Sequence, residues 1–356
     1  MDGITLVTGG AGFIGSHVVD ALLSGGADVR VLDDFSTGRE ENLDDAWRLA
    51  AQHGAGLQVI HGDVRDEVRM RDAADGCSAV VHLAAVVSVP QSVEDPVRCN
   101  SVTHGGTVNA IRQAVEAGAD RFVLASSCAV YGDATQLPIA ETSPPQPLSP
   151  YASAKLASER ASADAADAGQ IAAVCLRFFN VYGPRQDPGS AYSGVISRFL
   201  RAAAERDAAD GGATGAAATA AAAPRVDGPG GSVTVFGDGR QTRDFVYVAD
   251  VVQSVLKALW RPPTGCAVLN VGSGRQTSLL HLLDEIDRQT GARLARRHEA
   301  EREGDVRYSL ADVGRARWVL GWEAQTSLGD GIAETWSWLR EPPAPASSPT
   351  DWGPRA

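Results

Sequence analysis

Short apolar runs rich in β-branched residues recur along the first half of the chain. Each gives way to a longer stretch whose apolar residues return at helical spacing. The runs predict strands over Ile4–Thr8, Val29–Asp33, Leu57–His61, Ala79–Ala84, Arg121–Ser126 and Ala172–Arg177, and the stretches between them predict helices around Ile14–Ser24, Glu67–Ala74, Pro96–Ala117 and Pro150–Ala168. Strands that are apolar throughout, alternating with helices, imply βαβ units and a parallel sheet covered on both faces. Right-handed crossovers then give a doubly wound, Rossmann-type α/β fold whose ligands bind at the carboxyl ends of the strands.

The second half is less regular. It predicts a strand (Val233–Phe236), a helix (Val248–Trp260), a strand (Val268–Val271) and helices near Ser278–Thr290, Asp312–Leu320 and Asp330–Leu339. Residues 207–231 are low-complexity Ala/Gly closing on Pro-Arg-Val-Asp-Gly-Pro-Gly-Gly, and are expected to form a flexible surface excursion. The Pro/Ser-rich residues 342–356 are expected to be a disordered tail. The expected organisation is a dinucleotide-binding domain over 1–180, with segments around 244–271 packing back onto it, and a smaller mixed α/β substrate domain over 181–341. No repeat of fixed period is evident.

Composition narrows the function classes. The 356 residues are 44% hydrophobic and carry a net charge of -12, a surface that repels nucleic-acid backbones but allows a local basic pocket for a diphosphate. The five cysteines are scattered and never spaced C-x-x-C, which reads as reduced thiols in a cytoplasmic protein. The histidines show no metal-site spacing, and no leader or long apolar run suggests a membrane segment. Positive charge is almost all Arg; only Lys155 and Lys257 are lysines.

The run ITLVTGGAGFIGSH carries the first chemistry. A buried strand ends at Thr8, and Gly9, Gly12 and Gly15 open a helix, with Gly10, Gly12 and Gly15 also satisfying G-x-G-x-x-G. Glycine permits the tight turn, the approach of backbone to pyrophosphate and helix-on-strand packing, while the helix N-terminus attracts the diphosphate. A P-loop is excluded because Ser16 stands where Lys is required. Eighteen residues after Gly15 the second strand ends in Asp33-Asp34, whose carboxylates suit the adenosine ribose and repel a 2′-phosphate, favouring NAD over NADP. Asp63 closes the third strand, either against the adenine amino group or as a turn residue.

The second constellation is Ser127, at the end of VLASSCAVYG, with Tyr151 and Lys155 of PYASAKLASE. Tyr151 and Lys155 are four apart and share one helix face. A phenol with its ordinary pKa near 10 is too weak a base at neutral pH, so the lysine ammonium and a positively charged nicotinamide are expected to lower it. Ser127 would hydrogen-bond the reacting oxygen and Lys155 the nicotinamide ribose.

TGGAGFIGSH, HLAA, SSCAVYG, SPYASAK, RFFNVYGPRQ and TRDFVYVAD together resemble the extended short-chain dehydrogenase/reductase family, and within it the UDP-glucose 4-epimerase-like sugar-nucleotide enzymes, over residues 3–340 apart from the Ala/Gly excursion. The resemblance implies an isomerase that oxidises C4 of a UDP-sugar, with Tyr151 taking the hydroxyl proton, and returns the hydride to the other face. It implies further NAD contacts from Phe13, Ile14, Val64, Leu83, Ala84, Ala85 and Asn100. It places Asn180, Arg185, Arg243 and Arg302 on the sugar or diphosphate, Asp305 on the uridine ribose, and the small Ser309 against the C2 substituent, so that N-acetylhexosamines are also admitted. Family members that dehydrate or decarboxylate carry acidic residues just after the catalytic Ser/Thr; here Cys128 and Ala129 stand there. The helices around 96–117 and 150–168 imply a homodimer. The alternatives are a UDP-glucuronate 4-epimerase using Ser88, Arg185 or Tyr192, a ketoreductase, and an NAD-binding regulator without catalysis.

Overall fold

A seven-stranded parallel sheet organises the computed structural model, which describes residues 3–187, 194–209, 232–301 and 306–340. Its strands are β1 (Ile4–Thr8), β2 (Val29–Asp33), β3 (Leu57–His61), β4 (Cys77–His82), β5 (Arg121–Ser127), β6 (Ala172–Phe178) and the late strand Cys266–Val271. They lie in the order Cys266–Val271, β6, β5, β4, β1, β2, β3, so the winding reverses between β1 and β4. At that reversal the flanking crossovers diverge to opposite faces and leave a crevice above the strand ends.

Successive apolar residues of each strand feed the two faces. Val7, Val31, Val81, Val123 and Leu176 pack under the helices Phe13–Ser24 and Val248–Trp260, while Leu6, Leu32, Val80, Phe122 and Cys175 pack under Glu67–Ala74, Gly106–Glu116 and Pro150–Asp167. A second apolar cluster is built by the helices Val195–Ala209, Leu279–Thr290 and Leu328–Arg340, with Val233 and Val235 of the strand Ser232–Phe236 and with Phe245 and Tyr247. The strand Phe245–Tyr247 pairs in parallel with Asn180–Tyr182, immediately beyond β6. Among the described residues no helix is long and apolar enough to cross a membrane.

Several expected elements shift. β4 spans Cys77–His82 rather than Ala79–Ala84, because the chain bends after His82 to bring Ala84 against Gly9. The expected helix 96–117 is interrupted by a π-helical turn, Ser101–Gly105. The helices Asp44–His53, Val89–Glu94 and Val195–Ala209 were not anticipated; the last makes residues 207–209 of the expected flexible excursion helical. Residues 210–231 and the tail 342–356 lie outside the described residues.

Candidate active site

The glycine turn fits a dinucleotide pyrophosphate. Gly9 leaves β1 at φ +71, and a Cβ there would sit 2.8 Å from the backbone nitrogen of Ala84. A Cβ on Gly15 would lie 2.0 Å from the Gly9 carbonyl oxygen, so helix and strand close to this distance only with glycine. The helix Phe13–Ser24 starts at Gly12 without a side-chain cap. Its first-turn amides, from Phe13, Ile14 and Gly15, therefore have no partner within the helix and suit an anion. A Cβ on Gly12 would meet only the Gly9 carbonyl oxygen, which leaves that side open.

The two expected ribose carboxylates divide their work. Asp33 is buried and accepts from the Ala11 amide through Oδ2 (2.9 Å) and from the Phe35 amide through Oδ1 (2.9 Å), so it braces the glycine turn. Exposed Asp34 accepts from the Ser36 amide (2.9 Å) and hydroxyl (2.6 Å) through Oδ1 alone. Asp63 is gripped by Arg65, whose Nε lies 3.0 and 2.9 Å from its two oxygens and whose guanidinium holds the carboxyl below the usual range. Beside these carboxylates, Phe35 and His61 stack with ring centroids 5.5 Å apart and planes at 1°, a pairing that the sequence reading missed. The half-buried Leu83, Ala84 and Ala85 follow β4 into the crevice, Val64 is buried, and Asn100 ends the helix Pro96–Asn100 on its exposed side.

The helix Pro150–Asp167 is started by Ser149, whose Oγ accepts from the Ala152 amide (3.2 Å), with Pro150 at its first position. One turn separates Tyr151 from Lys155, and both face β5. Lys155 is 3% exposed, donates from Nζ to the Ala125 carbonyl (2.7 Å) and lies 6.0 Å from the Tyr151 ring centroid. The Tyr151 phenol is hydrogen-bonded to Ser127, whose Oγ also accepts from the Ala129 amide (3.2 Å). The three residues are thus brought together.

Burial sets the protonation of both titratable groups. Burial pushes the Tyr151 phenol up to about 12, opposed by the Ser127 hydrogen bond, and pushes Lys155 down to about 8, opposed by Cys99 and Glu159. Desolvation, not the neighbouring ammonium, dominates the phenol in the protein itself. His82, also missed as a site residue, closes β4 at 1% exposure with Nδ1 2.8 Å from the Thr8 hydroxyl. Burial and then Lys155 push it down to about 3, so the ring is neutral at neutral pH.

On the substrate side, half-buried Asn180 donates its amide to the Asp244 carbonyl (3.0 Å). Arg243 belongs to the two-residue strand Thr242–Arg243, which pairs antiparallel with Thr277–Ser278. Fully buried Asp244 pins this region by accepting from the amides of Ser273 (2.6 Å), Gly274 (3.0 Å) and Ala311 (3.1 Å). The Ser309 amide donates to the Thr242 carbonyl (3.2 Å), which sets Ser309 beside Arg243; Ser309 is 7% exposed and Tyr308 46%, so the serine is the residue turned inward. Arg185 is committed elsewhere, to Asp20 at 2.7 Å and Asp45 at 2.9 Å, and Ser88 caps the helix Val89–Glu94. Arg302, Asp305 and Tyr192 lie outside the described residues.

A doubly wound sheet with an uncapped glycine-turn helix at its crevice, and a Ser–Tyr–Lys group on the adjoining strand and helix, defines a pyridine-dinucleotide enzyme. The model of the NAD dependent epimerase/dehydratase family matches residues 5–272, and that of GDP-mannose 4,6 dehydratase matches residues 218–335. A UDP-glucose 4-epimerase of Mycolicibacterium smegmatis is 38% identical over 94% of this chain and 98% of its own. Among solved structures, the UDP-glucose 4-epimerase of Thermotoga maritima with UDP-glucose superposes with a TM-score of 0.82 at 33% identity, covering 95% of this chain and 98% of that one. The UDP-N-acetylglucosamine 4-epimerase of Methanobrevibacter ruminantium, in complex with UDP-N-acetylmuramic acid, has the same TM-score and coverages at 29% identity. The chain belongs to the NAD-dependent epimerase/dehydratase family, within the extended short-chain dehydrogenase/reductases, and NAD is its cofactor.

The cradle makes a first prediction. Gly15→Ala places a methyl group against the Gly9 carbonyl, so purified protein should release at least about tenfold less NAD on denaturation than wild type. Full NAD content in a folded variant would contradict the close-packing argument.

Proposed function

We propose that the protein is a UDP-sugar 4-epimerase acting on UDP-glucose and UDP-galactose, and on their 2-acetamido counterparts. The observation that carries this reading is the phenol of Tyr151 hydrogen-bonded to Ser127, with the Lys155 ammonium one turn away. The names of the relatives support the sugar-nucleotide class. The glycine turn and its helix would hold the cofactor diphosphate, with Asp33 and Asp34 at the adenosine end, and Lys155 would orient the nicotinamide ribose. When bound there, NAD supplies a hydride acceptor and donor for the sugar carbon and a positive ring charge that favours phenolate.

Tyr151 then receives the proton of the sugar 4-hydroxyl, relayed or steadied by Ser127, and gives it back to the oxygen of the 4-keto sugar. Arg243 and Asn180 would hold the diphosphate and sugar, together with Arg302 and, at the uridine ribose, Asp305. Cys128 and Ala129 provide no carboxyl group for proton transfer at C5 or C6; burial pushes the Cys128 thiol up to about 12, so it is no base either. Epimerisation needs only the phenol. Incubation with UDP-glucose followed by NMR of the anomeric protons should show UDP-galactose. Tyr151→Phe should lower kcat by about 10²-fold or more while NAD and UDP-sugar still bind. Wild-type turnover by the variant would remove Tyr151 from the mechanism.

Ser309, inward and small, supports room for a C2 acetamido group. Ser309→Tyr should suppress turnover of UDP-N-acetylglucosamine by tenfold or more, about 1.4 kcal/mol, and spare UDP-glucose; equal losses on both would defeat the assignment.

A homodimer is part of the same reading. Val93, Val97 and Val108, on Val89–Glu94, Pro96–Asn100 and Gly106–Glu116, are exposed, with Val97 at 78%. Apolar side chains gathered on helices packed beside Pro150–Asp167 suit a helical interface. Sedimentation should give a dimer that Val97→Asp shifts toward monomer, whereas a concentration-independent wild-type monomer would exclude it.

A further inference from the structure

An ion pair buried on both sides stands behind the Ser–Tyr–Lys group. Glu159 and Arg177 have side chains 5% exposed each, and the guanidinium of Arg177 forks onto the carboxylate, Nε to Oε1 at 2.9 Å and Nη2 to Oε2 at 2.7 Å. Glu159 stands one turn beyond Lys155 on the helix Pro150–Asp167. Its Oε1 also accepts a hydrogen bond from the Ser126 hydroxyl. Arg177 belongs to β6, where it is the direct register partner of Ser126 on β5.

These contacts form a ladder between one strand end and one helix face. The Ala125 carbonyl accepts from Lys155, the Ser126 hydroxyl donates to Glu159, and Ser127 bonds Tyr151. Beyond the pair, the Arg177 guanidinium carbon lies 4.7 Å from the Tyr131 ring centroid, and the Tyr131 hydroxyl donates to Asn270 Oδ1 at 2.6 Å. Asn270 Nδ2 donates to the carbonyls of Ile139 (2.8 Å) and Asp312 (3.1 Å), three residues after Ser309.

Burying two charges in one pair is seldom required for stability, because apolar side chains of like volume often serve as well. We propose that Glu159 and Arg177 form a positioning unit. It locks the catalytic helix to β5 and β6, and so fixes the distance of Tyr151 and Lys155 from Ser127. Neither residue touches the reacting atoms; both act through the register of helix against strand. The kinetic arm of the test rests on the 4-epimerase reading above.

The test compares the full-length NAD-loaded protein with a Glu159→Met, Arg177→Met double variant, which leaves no charge unpaired. The melting temperature should stay near that of wild type, the KM for UDP-glucose within about twofold, and kcat should fall at least tenfold, since displacements on the ångström scale cost that much. Glu159→Gln, which keeps an acceptor for Ser126 and Arg177, should recover part of the loss. Without any sugar nucleotide, amide exchange in the double variant should accelerate in peptides covering 124–128, 150–160 and 174–178 and not elsewhere. A folded double variant with wild-type kcat and wild-type exchange would overturn the proposal, as would kcat, KM and melting temperature deteriorating together. If the double variant does not fold, Arg177→Lys, which keeps the charge and loses the fork, carries the same expectations. If wild type turns over no UDP-sugar, the activity reading fails, and the exchange comparison alone decides the positioning role.

Discussion

The site turns on a buried ammonium seated on a backbone carbonyl. Lys155 reaches the Ala125 oxygen at the end of β5, and with the Ser126–Glu159 bond one turn on it holds the helix Pro150–Asp167 against the strand that carries Ser127. A guanidinium is too broad for this seat and would present a fork where one carbonyl waits. A chain that otherwise uses Arg has kept one of its two lysines here. Burial pulls the ammonium down to about 8, so it stays largely charged at neutral pH, yet with less margin than a surface lysine.

The same burial shapes the phenol. A phenol pushed up to about 12 is neutral at neutral pH even with the Lys155 ammonium one turn away, so action as a base calls for a further positive charge. On the 4-epimerase reading proposed above, the oxidised nicotinamide would supply that charge. The fold puts the glycine turn and the Tyr151 phenol on one crevice. The reversal of winding between β1 and β4 opens it, the glycine turn lines one side, and the β5 end with its helix lines the other.

Much of this was legible in the chain. β1, β2 and β3 match their apolar runs residue for residue; β1 and β2 are largely buried and admit little else, while β3 lies half-buried at the sheet edge. The glycine turn and the Tyr151–Lys155 spacing were legible because glycine and a four-residue step have direct geometric meanings. The helix Val195–Ala209 was obscured by the Ala/Gly run it leads into, and two- and three-residue strands such as Thr242–Arg243 are too short for periodicity to register. Long-range pairing was the other blind spot. Arg185 read as a substrate-binding residue, and its ion pairs with Asp20 and Asp45, far back in the chain, left no trace in the local sequence. Spacing likewise reveals the charge beside Tyr151 and not the depth of burial that opposes it.

The most direct test follows the hydrogen at the sugar carbon. UDP-glucose deuterated at C4 should yield UDP-galactose that keeps the deuterium at C4 in ordinary water, with no NADH accumulating, because the same hydride leaves and returns within one closed site. Product carrying solvent hydrogen at C4 would contradict the account, and so would a stoichiometric build-up of NADH.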